Sequence, residues 1–185
     1  MDQHEVGVTE LGLGQGPRQR PPGAQLEPDG VMHRRLKGYL RAFATYDVEL
    51  EDSGFVVGPA TIEGGIAAVR RAWEDGLRPT AVLAMADAMA IGAMRAAREL
   101  GLRVPADLSV VGFDDIDLAQ HTDPPLTTIH QPIRRKGEEA VRVLLAVVER
   151  RAPHRSEQRR LETRLIVRGS SGPVPRSRQE VIGKG

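Results

Sequence analysis

The acidic run Asp114-Asp115-Ile116-Asp117, directly after the apolar stretch Leu108 to Phe113, is the part of this sequence best placed to do chemistry. A carboxylate at the carboxyl end of a strand can accept two hydrogen bonds from neighbouring hydroxyl groups of a polyol or sugar. It can equally cap a following helix. Asp114 reads evenly as cap and as ligand contact, whereas Asp115 and Asp117 lean towards capping. A third use, Mg²⁺ held at a sheet edge for phosphoryl transfer, lacks its partners: no phosphate-cradling glycine loop or positioned lysine follows a strand. Gly12-Leu13-Gly14-Gln15-Gly16-Pro17 has no strand before it, and its proline argues for linker. His4, His33, His121, His130 and His154 show no metal-ligand spacing, and no G-x-S-x-G elbow is present. No catalytic residue, metal or cofactor is therefore expected.

Composition narrows the class further. With 26 Lys+Arg against 25 Asp+Glu, the formal charge of +1 provides no global basic field for nucleic acid. The basic clusters Arg134-Arg135-Lys136 and Arg150-Arg151 lack interleaved aromatics and read as solvated helix faces. The absence of cysteine removes disulfide, thiolate-metal and cysteine-nucleophile chemistry together, and suits a reducing cytoplasm. No apolar run reaches membrane-span length, and the N-terminal residues lack the features of a signal peptide. A cytoplasmic location and no membrane partner are the expectation. At 185 residues, 40% of them hydrophobic, the chain can build one ordinary core.

The elements that must position the acidic run follow from periodicity. Residues 1–32 are rich in Gly, Pro, Gln and charge without sustained period, and are expected to be a disordered or unassigned lead. From His33, Leu36, Tyr39, Leu40 and Phe43 recur at helical spacing. Phe55-Val56-Val57 reads as a buried strand. Thr61 then caps a helix sharing Ile62, Ile66, Val69 and Trp73 on one face and ending near Gly76. The unit repeats: strand Ala81 to Met85, a helix capped by Asp87 and running to Leu100, Gly101 at the left-handed end position, and strand Leu108 to Phe113. Such alternation predicts α/β architecture, a doubly wound parallel sheet with helices on both faces. Beyond lie a short β-like run Leu126 to Ile129, a helix with Val141, Leu144, Leu145 and Val148 on one stripe, and an alternating edge strand around Leu165; residues 173–185 read as tail. In an open parallel sheet ligands bind outside the carboxyl ends of the strands. This points to Gly58-Pro59-Ala60-Thr61, Ala86-Asp87 and Asp114-Asp115.

The stretch from Pro79 to Pro132 closely resembles the core of the lactose-repressor (LacI/GalR) family of transcriptional regulators. The family's A-N-D-x-M-A-x-G appears as Met85-Ala86-Asp87-Ala88-Met89-Ala90-Ile91-Gly92. Its V-P-x-D-I-S-V-V-G-F-D-D appears as Val104 to Asp115, and its P-P-L-T-T-I-x-Q as Pro124 to Gln131. Similarity extends over about residues 33–172, including Arg35-Leu36-Lys37-Gly38-Tyr39 and the closing Leu165 to Ser171. The resemblance implies one lobe of a periplasmic-binding-protein-like two-lobed fold, here incomplete, sensing a small-molecule effector of sugar type. It implies that Arg35 and Asp114 bind the effector, Arg offering a planar fork of donors and Asp a pair of acceptors. Gln131 falls near the implied pocket and hinge, where it reads at least as readily as a crossover residue bonded to backbone. Ala86 stands where members commonly carry Asn, and Ala60 where many carry an aromatic ring over the sugar. Both replacements remove contacts, so an unusual effector, a weakly bound one or none is implied.

Members of this family are homodimers that carry a helix-turn-helix headpiece and an N-terminal lobe ahead of the region matched here. Neither is recognisable in this sequence, so the helix over 133–150, which in members packs on that lobe, is expected to lack its surface. A periplasmic sugar-binding protein is the alternative reading, disfavoured by the absent signal peptide and by the Pro124 to Gln131 run. Base readout needs an element seated in a groove, so no direct sequence-specific DNA binding by this chain is predicted. An anisotropy titration against operator-like and scrambled duplexes checks this. Weak, salt-sensitive, non-discriminating binding is the expected result, and tight discrimination at physiological salt contradicts it.

Overall fold

Short apolar runs separated by amphipathic helices produce the layered α/β arrangement expected of them. The computed structural model describes residues 5–11, 30–46, 54–149 and 160–173. Among these, one sheet runs in the order β2-β1-β3-β4-β5-β6, built from β1 Glu5–Leu11, β2 Phe55–Pro59, β3 Ala81–Ala84, β4 Ser109–Asp114, β5 Thr127–His130 and β6 Arg164–Ile166. The helices are α1 Val31–Thr45, α2 Ile62–Glu74, α3 Asp87–Glu99 and α4 Ile133–Val148. Strands β3, β4 and β5 are parallel, and β6 closes the edge antiparallel to β5.

One strand corrects the sequence reading. Residues 5–11, expected to belong to a disordered lead, form β1, which pairs antiparallel with both β2 and β3. Val6 and Val8 alternate with Gly7 and Thr9, a pattern too short to mark a strand alone. Pairing on both sides supplies what local periodicity lacks. The consequence is that β2 and β3, still parallel to each other, are separated by one strand rather than adjacent. The glycine segment 12–17, most of the polar run after Arg150 and the tail from 174 lie outside the described residues.

Helices α2 and α3 pack side by side, and small residues decide how closely. A Cβ added to Gly65 would lie 2.1 Å from the Met89 carbonyl oxygen, and one added to Gly92 would lie 2.0 Å from that of Ile62. The fully buried face of α2 is consequently Gly64, Gly65, Ala68, Val69 and Ala72; of the stripe that periodicity predicts, Val69 is buried and Ile66 packs against the core, while Ile62 and Trp73 are only half-buried. Trp73 is half-buried beneath the Arg78 guanidinium, whose Cζ lies 4.2 Å from the ring centroid. On the sheet, Val82, Ala84, Leu108, Val110 and Leu126 join Met85, Met89, Ala90, Ala93, Ala96 and Ala97 in one core. Side chains alternate across β4: a Cβ at Gly112 would face α3, while Phe113 points to the opposite face, where the Arg35 side chain of α1 covers it. Helices therefore cover both faces, as a doubly wound sheet requires. Helix α1 begins at Val31 and turns Met32, Leu36 and Tyr39 towards the core, leaving Leu40 outside.

Helix α4 is different in kind. It has no buried residue. Val141, Leu144, Leu145 and Val148 are 55%, 61%, 51% and 68% exposed, so the apolar stripe expected to lack a surface covers none within the described residues. The two helical contexts predict opposite responses. Leu144→Lys combined with Leu145→Lys should shift the unfolding midpoint little, because exposed substitutions stay within about 0.5 kcal/mol each. Gly92→Ala, despite the helix propensity it gains, should destabilise by roughly 1–3 kcal/mol because α2 and α3 must separate. Urea titrations of the three chains check this. A large loss from the lysine pair, or none from Gly92→Ala, contradicts the packing described.

Candidate functional site

At the carboxyl end of β4 the backbone makes a turn that side chains rarely permit. Asp114 has φ 123° and Asp115 φ 59°. Left-handed backbone at non-glycine residues costs on the order of 1–3 kcal/mol, so neighbours must hold it in place. Asp114 Oδ1 accepts from Gln131 Nε2 at 2.6 Å and lies 3.4 Å from Arg35 Nη2. Arg35 is itself well fixed: Nη1 donates to the Met85 carbonyl, and Cζ stacks 3.7 Å from the centroid of Phe113. Burial pushes the Asp114 carboxyl above its ordinary value, a rise that Arg35 and the Gln131 bond oppose and the charge of Asp87 reinforces. Tyr39, one helical turn beyond Arg35, feels both charges, and burial raises its phenol.

Asp115 faces a separate set of partners. Its carboxylate accepts from Arg168 Nη2 at 2.6 Å and pairs with His130 Nδ1 at 2.8 Å. Burial acts to raise the Asp115 carboxyl, but the hydrogen bonds from Arg168 and His130 outweigh it and hold the group below its ordinary value. Arg168 also donates to the Leu126 carbonyl, and its backbone N–H donates to Thr127 Oγ1. Two residues on, Ser170 Oγ donates to the Val110 carbonyl and accepts from the Thr127 N–H. The segment after β6 thereby stitches β4 to β5. The capping roles expected of Asp115 and Asp117 are corrected: the 3-10 turn at Asp117–His121 starts from Ile116 with no side-chain cap bond.

Asp87 also departs from its expected role. The N-cap of α3 is Ala86, and Asp87 is the first residue of the helix, fully buried. Its Oδ1 accepts from Thr128 Oγ1 on β5, and its Oδ2 from the Ile116 N–H at 2.9 Å. The side chain lies against the backbone of Gly112, where an added Cβ would meet Oδ1 at 2.2 Å. Thr61, by contrast, caps α2 as expected, accepting from the Gly64 N–H at 3.0 Å.

The candidate residues are thus placed unequally. Arg35, Asp114 and Gln131 converge, and Ala86 adjoins them through Met85, whose carbonyl Arg35 holds. Ala60 lies at the end of β2, separated from β3 by β1, and no hydrogen bond joins it to the Asp114 group. Sequence reasoning passed over Phe113, Tyr39, Thr128, His130 and Arg168 as parts of this edge. Phe113 and Arg168 lie inside quoted motifs, but motif membership says nothing about which groups touch. Among the described residues no group of three His, Asp or Glu side chains is placed to hold a metal, and no helix is long and apolar enough to cross a membrane.

The sheet gathers its polar groups at the carboxyl edge, the place where open α/β lobes bind their ligands. A family model of periplasmic binding protein-like domains matches residues 23–171. The repressor CytR of Escherichia coli K12 is 37% identical over 172 residues, covering 93% of this chain and 48% of its own length. The regulator CelR in complex with cellobiose superposes with a TM-score of 0.71 at 34% identity, covering 78% of this chain and 44% of that one. The lac repressor dimer bound to operator and the anti-inducer ONPF superposes at 0.67, also 34% identical, covering 76% and 48%. The chain belongs to the periplasmic binding protein-like domain family, and the relatives it matches are LacI-type transcriptional regulators. It spans about half the length of the curated relatives it matches.

The Asp115 cluster yields a test independent of any ligand. Because its folded-state value is lowered, Asp115 contributes stability that is present above the unfolded carboxylate value and lost as pH falls through the folded one. In Arg168→Ala the burial effect loses its main opponent, so the Asp115 carboxyl should titrate clearly higher and acid unfolding should begin at higher pH. Carboxyl-carbon NMR titration of both chains reads this directly. An unmoved Asp115 titration would show that the Arg168 contact does not govern it.

Proposed function

We propose that this chain forms the effector-sensing lobe of a LacI-type transcriptional regulator, binding a small sugar-like molecule over the carboxyl edge of its sheet. The observation that carries the reading is the convergence of Arg35 and Gln131 on the Asp114 carboxylate at a strained strand end. Both bonds use Oδ1, so Oδ2 accepts no hydrogen bond among the described residues and can accept from a ligand hydroxyl. Arg35, stacked on Phe113 and tied to Met85, presents its remaining donors in a fixed plane, which suits hydroxyls of defined stereochemistry. The relatives named above support sensing rather than catalysis, and the lac repressor dimer makes a homodimer the proposed assembly of a complete regulator. A role in transcription supports a cytoplasmic location as part of the same proposal. The alanines at 60 and 86 offer neither ring nor amide, so a ligand here depends more heavily on Asp114 and Arg35 than one held by additional contacts.

Calorimetric titration with D-ribose and with cellobiose, one small and one large polyhydroxy probe, tests the proposal. At least one should bind the parent chain. Asp114→Ala should weaken that binding by about 10- to 100-fold, the worth of a charge-assisted hydrogen bond at a desolvated site, and Arg35→Ala should act in the same direction. Both variants should retain the parent's circular dichroism. Binding of neither probe, or undiminished binding by Asp114→Ala, would count against a sugar site at this edge.

A further inference from the structure

We infer that Asp87 is a positioning residue of the proposed ligand site, holding the Asp114–Asp115 turn in its left-handed form from beneath without touching ligand. The inference rests on the reading of Asp114 as a ligand contact. Asp87 has no exposed surface, and a buried carboxylate persists only when its oxygens are hydrogen-bonded. Its two oxygens are divided between two structures. Oδ2 accepts from the Ile116 N–H, the first amide after the two residues of positive φ. Oδ1 accepts from Thr128 Oγ1, on the strand that leads through His130 to Gln131. One rigid group therefore fixes the exit of the Asp114–Asp115 turn relative to the strand that delivers the Asp114 partner. The space is made for it: a Cβ at position 112 would lie 2.2 Å from Asp87 Oδ1, so the carboxylate sits against bare backbone in the middle of β4.

Position 87 at the start of α3 adds a reason for the residue type. The carboxylate lies in the first turn, where the free N–H groups of the helix favour negative charge. Asparagine can reproduce the pattern in part. Its oxygen can accept from Ile116, and its amide can donate to a Thr128 hydroxyl turned to accept. Alanine can do neither. With the Ile116 N–H unrestrained, the turn is free to relax towards ordinary backbone, carrying the Asp114 carboxylate away from Arg35 and Gln131.

The test compares Asp87→Ala, Asp87→Asn and Thr128→Val with the parent, well below their melting temperatures. The first readout needs no ligand: NMR backbone couplings of Asp114 and Asp115, which report φ. They should change in Asp87→Ala, change less in Thr128→Val and stay near parent in Asp87→Asn, while amides in the later turns of α3 do not move. The second is calorimetric affinity for whichever of D-ribose and cellobiose the parent binds, expected to fall at least 10-fold in Asp87→Ala and to be largely rescued in Asp87→Asn. A merely stabilising role would lower the melting temperature and leave both readouts of the folded chain unchanged, which would overturn the inference. Should Asp87→Ala fail to fold, parent-like couplings in Thr128→Val and altered ones in Asp87→Asn would overturn it, and the reverse would uphold it. Failure of the reading beneath is separable. If Asp114→Ala leaves affinity intact, Asp114 is no ligand contact; if Asp114→Ala weakens binding and Asp87→Ala does not, only the positioning role falls.

Discussion

A carboxylate with no access to water must be satisfied by the protein around it, and the way Asp87 is satisfied shapes the whole carboxyl edge. Its oxygens reach a backbone amide beyond β4 and a hydroxyl on β5, so helix α3, the strained turn and the neighbouring strand are tied at one point. Around that point the remaining bonds are arranged in two sets. Arg35 and Gln131 reach Asp114 from α1 and from the end of β5. Arg168 and His130 hold Asp115 from the segment after β6 and from β5. Adjacent aspartates thus have opposite duties. One is engaged by the segment after β6 and held below its ordinary range, while the other is raised by burial and takes both of its side-chain hydrogen bonds among the described residues on Oδ1.

The same logic explains what sequence could and could not reveal. Helices α2 and α3, the strand β3 between them and the left-handed glycines Gly76 and Gly101 are legible because each rests on local rules: apolar spacing, a threonine cap, and positive φ after the last turn. Strand β1 was not, because its short alternation becomes a strand only by pairing with β2 and β3, which are far away in sequence. The glycine and alanine part of the buried α2 face escapes the hydrophobic pattern for a related reason. Close helix approach selects glycine and alanine, which carry little signal in a hydrophobic pattern, over Ile62 and Trp73.

Within the site, residue type was readable and connection was not. A carboxylate at a strand end followed from the acidic run after Phe113, and the place of Arg35 and Gln131 from family resemblance. Nothing in the spacing of Asp87, Asp115, Thr128, His130 and Arg168 distinguishes a cap from a cross-strand bond. Capping is a local bond within a few residues, whereas these bonds span 15 to 53 positions. The exposed stripe of α4 was legible for the opposite reason, since an amphipathic helix declares its apolar face whether or not anything covers it.

The dependence of the edge on one buried carboxylate can be read at a single proton. Ile116 is 36% exposed and follows a turn, so its N–H would ordinarily exchange with solvent as fast as any surface loop. If that N–H is held by Asp87 Oδ2, native-state hydrogen exchange should show it protected to nearly the extent of the buried Val110 amide near the start of β4, which donates to the Ser170 carbonyl, and opening only with the core. Exchange at the rate of an unbonded loop amide, with Val110 still protected, would contradict the account.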